Sequence, residues 1–402
     1  MQERTKLIPA ARSLLAIARR DRAAARAAMA RLGVEEQVAA VCEAPLEFRG
    51  SVLDLVPIPE EVIPLIPEAE LCFTCKHVGV HDASWILAQA TDEQIVACVD
   101  LDAWTGLAPD VARLDGWMAA LAEAGDETLI RAAQAMDAEM LALYLRAHAK
   151  VELKPAGDED WQPPESSQTL EGQFYFSARH PGDDLAPLQA LLHTLFQKDY
   201  WLYFRMMQSV EEELQAETEE WALRWRTGRL EDLGFPAWDR AMRIYGHLRK
   251  DRLAEIPLEP AAIDTGAWSM PVWITDLPVA ASEQHSLFRA VAELDAEARS
   301  EFLYAFIRLA NHVAVADRLE LGDAETLPAA IDKAARVASI GLELIASGAG
   351  LSLADTARRV KVDRLFRVGV NASPDDERPS LLVSDDEPDD DGEAPPDSGA
   401  LH

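Results

Sequence analysis

The sequence predicts a mainly α protein of stacked helical hairpins, an irregular α-superhelix, and three observations carry that prediction. Apolar residues recur three and four apart over most of the chain, capping residues stand ahead of these stretches, and the connections between them are short. Segments of alternating strand character do not intervene between them, which argues against an α/β sheet.

In chain order, residues 1–31 carry eight basic side chains against Glu3 and Asp21 in an Ala-rich stretch, and read as a basic first helix docked on an acidic body. The run around Cys72 reads as one helix ending at Gly79. Helical periodicity then extends from Asp82 through Leu87 to Val99, from Val111 to Ala124, and from Glu127 to Ala147. Thr91 with Gln94 forms a capping box, Asp126 stands where it accepts the free amides of the next helix, and Ser352 with Asp355 repeats the device.

Residues 154–187 break the pattern. Lys154-Pro155, Pro163-Pro164 and Ser166-Ser167 read as a linker, and Gln173 to Ser177 as one short strand. The predicted organisation is therefore an N-terminal helical domain over 1–153, the linker over 154–187, and a C-terminal helical domain over 188–370. In the latter, helices are expected from about Leu185 to Gln197, from about Ser209 to Thr227, around Trp238 to Leu248, and over Leu287 to Val360. The segment from Glu301 to Asp317 is apolar on most sides and so belongs centrally, with Arg308, Asn311 and His312 on its narrower polar face. Residues 371–402 hold eleven acids and one base, with too few large apolar groups to offset ordering entropy, and read as a disordered acidic tail.

Composition narrows the function classes. Across 402 residues, 70 acidic side chains oppose 38 basic ones, a formal charge of −32. Such a field repels phosphate backbones and anionic lipid surfaces, so nucleic acid is not an expected partner. No apolar run has the length of a membrane span and the N-terminus lacks the order of a secretory signal, which places the protein in the cytoplasm. Four cysteines in so long a chain are no disulfide framework and are expected as reduced thiols.

Several segments together carry a resemblance: Leu71 to Val80, Gln94, the Asp100 to Trp104 loop, Asp137-Ala-Glu139, Glu219 to Phe235, Asn311 to Asp317, Gly341-Leu-Glu343 and Leu365 to Gly369. Their order resembles an uncharacterised bacterial family of helical proteins, a domain of unknown function, over most of residues 40–370. The block Glu219 to Phe235 is its most specific part. The resemblance implies a mainly helical protein and brings no activity with it. The hairpins from Thr91 to Leu145 bear a fainter, fold-level likeness to the cytosolic helical domain of MgtE-type magnesium transporters.

Three groups are candidates for chemistry. Cys72, Cys75, His77 and His81 supply two thiols and two imidazoles, a full tetrahedral zinc set, although a local run on one helix is an awkward source for all four. The alternative is that the cysteines are small core side chains. Arg224, Arg226 and Arg229, with Glu220, form a possible anion or carboxylate clamp. Structurally, Glu220 and Arg224 have the spacing of an intrahelical ion pair, Leu214, Trp221 and Trp225 form the apolar stripe of that helix, and Gly228 ends it. Trp238 and Tyr245 line such a pocket or belong to the core. Asp100 and Asp102 beside Trp104 suit magnesium, or else cap the helices on either side of a turn that Trp104 plugs.

The sequence holds no Gly-x-Ser-x-Gly elbow, no His-Glu-x-x-His, no Walker loop and no Gly-x-Gly-x-x-Gly fingerprint. No catalytic residue is assigned and no cofactor is predicted beyond zinc or magnesium at the positions named. The expected function is a protein–protein interaction or scaffold module with an acidic surface. The alternative is an enzyme or sensor that holds a divalent cation or small anion in a cleft between the helical halves.

Overall fold

Short amphipathic segments, each stopped by a cap or a glycine, build nearly everything that the computed structural model describes, which is residues 8–157, 160–180, 182, 185–246 and 285–373. Apart from residues 371–373, the predicted acidic tail lies outside these.

The basic N-terminal stretch is two helices rather than one. Asp21 leaves helical geometry after α1 (Ile8–Ala18), and its side chain accepts the Ala24 amide at 3.0 Å to start α2 (Arg22–Met29). There follow α3 (Val34–Cys42), α4 (Leu46–Leu53), α5 (Pro59–Val62) and α6 (Glu68–Val78), the last ended at Gly79 with φ 103° as the sequence predicts. After the short α7 (Ser84–Leu87), the Thr91–Gln94 capping box opens α8 (Asp92–Asp102). A two-residue ladder, β1 (Trp104–Thr105) against β2 (Ala108–Pro109), turns the chain into α9 (Val111–Ala124).

The periodic run from Glu127 to Ala147 is split into α10 (Asp126–Ala135) and α11 (Ala138–His148), because Asp137 accepts the Met140 amide at 2.7 Å and starts a new helix. Asp126 itself sits inside α10, whose cap position is Gly125. Strand β3 (Ala149–Leu153) pairs antiparallel with β4 (Phe174–Ala178), which matches the strand expected near residue 174; β3 falls between the helix expected to Ala147 and the linker expected from 154, where the sequence predicts no strand. Then come α12 (Ala186–Lys198), α13 (Tyr200–Glu212), α14 (Gln215–Asp232) and α15 (Trp238–Ala241). The final group is α16 (Ser286–Ala292), α17 (Ala296–Ala316), α18 (Thr326–Ala349), α19 (Leu353–Arg359) and α20 (Val362–Ala372).

The side chains bury into two apolar cores. The first runs from α1 to Phe235, and takes in Leu327 as well, around Trp117, Leu53, Ile63, Leu71, Phe174, Phe176 and Tyr203; the second runs from Ala241 to Val370 around Phe288, Phe306 and Phe366. The division between them falls after Phe235, downstream of the 154–187 segment. In the second core α17 is central, as expected, and α18 lies directly on α20: a β-carbon on Gly341 would stand 1.8 Å from the Leu365 carbonyl oxygen. The cores meet where Gly322 rests on the Leu101 and Asp102 backbone, with Lys76 Nζ donating to the Gly322 carbonyl at 2.7 Å and Arg113 pairing with Glu320 at 3.0 Å. Among the described residues no single helix is long and apolar enough to cross a membrane.

Candidate functional site

Asp100 and Asp102 do not flank a turn; both lie in the last turn of α8, where the helix dipole is negative and carboxylates are unfavourable. The fold answers with cations. Arg229 of α14 grips Asp100 with two hydrogen bonds, Nε to Oδ2 at 2.6 Å and Nη2 to Oδ1 at 2.8 Å, and reaches Asp137 at 2.9 Å. Asp102 accepts the Trp117 indole N–H at 2.9 Å and pairs with Lys76 at 2.5 Å. The aspartates thus face different cations rather than a shared magnesium position. Burial pushes the Asp100 carboxyl up, against the pull of Arg229. For Arg229, burial acts downward, but the bonds to Asp100 and Asp137 outweigh it and leave the guanidinium above its ordinary value.

The zinc set is not brought together either. Cys72 and Cys75 are fully buried on the core face of α6, with the Cys72 thiol 3.9 Å from the Cys98 carbonyl, whereas His77 and His81 are exposed. Burial drives the Cys75 thiol strongly upward, the reverse of what a metal-ligating thiolate needs. Among the described residues no group of three or more His, Cys, Asp or Glu is placed to hold a metal ion.

The arginine cluster divides in a way that spacing did not foretell. The buried stripe of α14 is Thr218, Ala222, Arg226 and Leu230, four apart, while Leu214, Trp221 and Trp225 face outward and Gly228 lies mid-helix. Arg224 lies over the Trp221 ring at 5.0 Å rather than pairing with Glu220, and both are exposed. Arg226 is the buried member, at 9% exposure. It spends only Nε, on the Asp100 main-chain carbonyl at 2.8 Å, and stacks on the Trp104 ring at 4.8 Å. Its Nη groups have no hydrogen-bond acceptor among the described residues. Burial pulls its pKa down to about 10, with Asp100 opposing and Arg229 adding to the shift.

Facing Arg226 across the junction of the cores is a residue the sequence reading passed over. Arg318 follows the end of α17 with φ 54°, in the left-handed geometry that closes a helix and normally selects glycine. The Leu319 amide donates back to the Ala314 carbonyl at 2.9 Å, which completes the motif. The guanidinium of Arg318 stacks on Trp238 at 4.8 Å, and its N–H groups have no acceptor among the described residues. Between these two arginine–tryptophan pairs lies a cavity of about 90 Å³, lined by Leu101, Trp104, Arg226, Trp238, Arg318 and Leu319, among others. The indole nitrogens of Trp104 and Trp238 are both buried and have no hydrogen-bond partner among the described residues. Glu320 also lines the cavity, but its carboxylate is taken by Arg113. Tyr245, weighed as a lining residue, sits in the second core with its hydroxyl on Asp317 at 2.8 Å.

A second, larger cavity of about 400 Å³ carries Glu68, Asp92, Glu93 and Asp232 around the Asp100–Arg229 pair. Its one guanidinium is already committed to Asp100 and Asp137.

The sequence profile of a family of unknown function (DUF6178) matches residues 26–374. The chain belongs to this family. Membership accords with the resemblance read from the sequence and, like it, assigns the DUF6178 fold no chemistry. No curated protein and no solved structure matches the chain, and the likeness to MgtE-type transporters finds no support.

Proposed function

We propose that this protein is a cytoplasmic binding protein for a small anion, held between its two helical cores by Arg226 and Arg318. One observation carries the reading: a guanidinium at 9% exposure whose Nη groups, among the described residues, find no acceptor beside a cavity. Burial desolvates this cation, Asp100 compensates it only in part, and an anion in the cavity would add to that compensation. Two indole N–H groups without acceptors at the same place add donors of the right kind. The four free, buried cysteines suit a reducing compartment.

Because Trp104 and Trp238 line the cavity, titration with small anions followed by tryptophan fluorescence tests the reading. A saturable change that is lost in Arg226→Gln is expected. A flat response to phosphate and to carboxylates up to millimolar concentration would sink it.

A second reading, protein–protein interaction, is favoured by exposed aromatic and apolar side chains: Trp201 at 77% and Leu214 at 68%, with Trp221 and Trp225 stacked at 6.3 Å. Alanine at Trp201 and Trp225 should then abolish co-purification of a partner without lowering stability, and an unchanged set of co-purifying proteins would refute it.

A further inference from the structure

We infer that the occupant of the cavity is a phosphoryl dianion that bridges the two cores, bound by Arg226 and Trp104 on one side and by Arg318 and Trp238 on the other. This rests on the small-anion reading above and narrows it to one chemistry and one mechanical role.

Charge is the first argument. Two guanidiniums converge on one small space, and among the described residues neither has a carboxylate partner. The one acid on the wall, Glu320, is neutralised by Arg113. A phosphoryl group carries about −1.5 to −2 at neutral pH, so two converging guanidiniums attract it more strongly than a singly charged carboxylate.

Donor count is the second. Arg226 keeps both Nη groups, Arg318 keeps its whole fork, and each indole adds one N–H. A guanidinium stacked on a ring donates only through its edge, so each arginine presents a planar fork suited to two oxygens. Three terminal oxygens can accept from two such forks and an indole together; the two oxygens of a carboxylate cannot.

Size and placement are the third. About 90 Å³ exceeds what one water needs several-fold, yet admits no extended metabolite. Gly106, Leu107 and Arg318 on its wall are exposed, so the cavity is within reach of solvent and a substituent on the phosphoryl group has a way out. The bridging role follows from ownership: Trp104 and the stripe of Arg226 belong to the first core, while Arg318 ends α17 and Trp238 starts α15, which packs on α17 in the second. Direct ties between the cores, Lys76 to Gly322 and Arg113 to Glu320, lie nearby, with Glu320 itself on the cavity wall, so an occupant adds to an existing seam.

The test is calorimetry on the full chain with inorganic phosphate, O-phosphoserine and acetate, joined to hydrogen exchange with and without the tighter phosphoryl ligand. Inorganic phosphate or phosphoserine should bind, with acetate at least about tenfold weaker. Arg226→Gln and Arg318→Gln should each lower affinity about tenfold or more, the loss of a charge-assisted hydrogen bond. Because Arg318 is exposed, its variant keeps the test decisive should Arg226→Gln fail to fold. The control Arg358→Gln, in a surface pair with Asp295, should bind as the parent does. Exchange should slow on both sides, at residues 101–107 and at 318–322.

Phosphoserine binding better than phosphate identifies a phosphate monoester as the source; the reverse identifies the free ion. Acetate binding as tightly as either would overturn the phosphoryl assignment while leaving a small-anion protein. Phosphoryl binding that survives both arginine substitutions, or protection confined to one core, would overturn the bridge. Binding of no anion at all would remove the underlying reading as well.

Discussion

Arg229 and Asp100, 129 residues apart, form a two-point pair at 2.6 and 2.8 Å that ties the end of α8 to α14. Asp100 is 2% exposed, so removing its partner leaves a buried carboxylate at the negative end of a helix. Loss of one member of a fully buried pair costs about 3 to 5 kcal/mol. Arg229 is 30% exposed, and water that enters in its place screens part of this. Arg229→Gln should therefore lose about 2 to 3 kcal/mol in urea denaturation, and a loss below about 0.5 kcal/mol would contradict the role given to the pair.

This pair also shows where sequence reading stopped. The Asp100–Asp102 group and the Arg226–Arg229 group were each legible as charged clusters, but no local signal joins positions so far apart. Arg226 was hidden for a different reason: it occupies the i, i+4 stripe of Thr218, Ala222 and Leu230, where a charge interrupts the apolar pattern. The alternative stripe that the spacing offers, Leu214, Trp221 and Trp225, is solvent-facing. Helix starts fared better where one side chain decides them, as at Thr91 and Ser352. Unbroken periodicity concealed the start at Asp137, and β3 went unseen because the helical pattern runs straight into it.

Gln94 separates what a motif states from what a fold requires. As the third residue of a capping box it could be Glu or Gln, since either side chain accepts the Thr91 amide, here at 2.9 Å. The same amide group, however, donates to the carbonyls of Ile63 at 2.9 Å and Ile66 at 2.6 Å, in a site only 2% exposed. Gln94→Glu should cost about 2 to 4 kcal/mol at neutral pH, because two buried acceptors would face a carboxylate. Part of the loss should return in the acid range, where a protonated carboxyl donates again. Equal stability of the two proteins at pH 7 would show that the capping role alone governs this position.

The contact of α18 with α20 allows no side chain at its crossing. A β-carbon on Gly341 would meet the Leu365 carbonyl oxygen at 1.8 Å, and one on Gly369 would meet that of Val337 at 1.9 Å. Backbone atoms of packed helices cannot yield as a flexible side chain does, so the helices would have to part. Gly341→Ala and Gly369→Ala should each lose about 3 kcal/mol or more despite the better helix propensity of alanine. A shift within about 1 kcal/mol in chemical denaturation would mean that this interface is looser than described.

His312 gives the fold an acid sensitivity of known sign. Burial is the main influence on its imidazole and lowers its pKa; the Arg308 carbonyl, 2.8 Å from Nδ1, and Asp363 act upward, while Arg308 and Arg240 add to the lowering. In the unfolded chain the group titrates near its ordinary value of about 6.5. Between the two values the unfolded state holds more protons, so stability falls as pH drops below about 6.5. His312→Gln should flatten that part of the stability profile relative to the parent, and parallel profiles would exclude a contribution from His312.

Arg318 offers the sharpest separation of a structural from a binding role. Left-handed geometry at φ 54° costs a non-glycine residue about 1 to 2 kcal/mol, and stacking on Trp238 at an exposed site returns about 0.5 to 1. Glycine at this position would lose the stacking and relieve the strain. Arg318→Gly should therefore leave the denaturation midpoint level or slightly raised while weakening phosphate binding about tenfold. An arginine kept only for packing would behave in the opposite way, with stability lost on substitution and anion binding untouched.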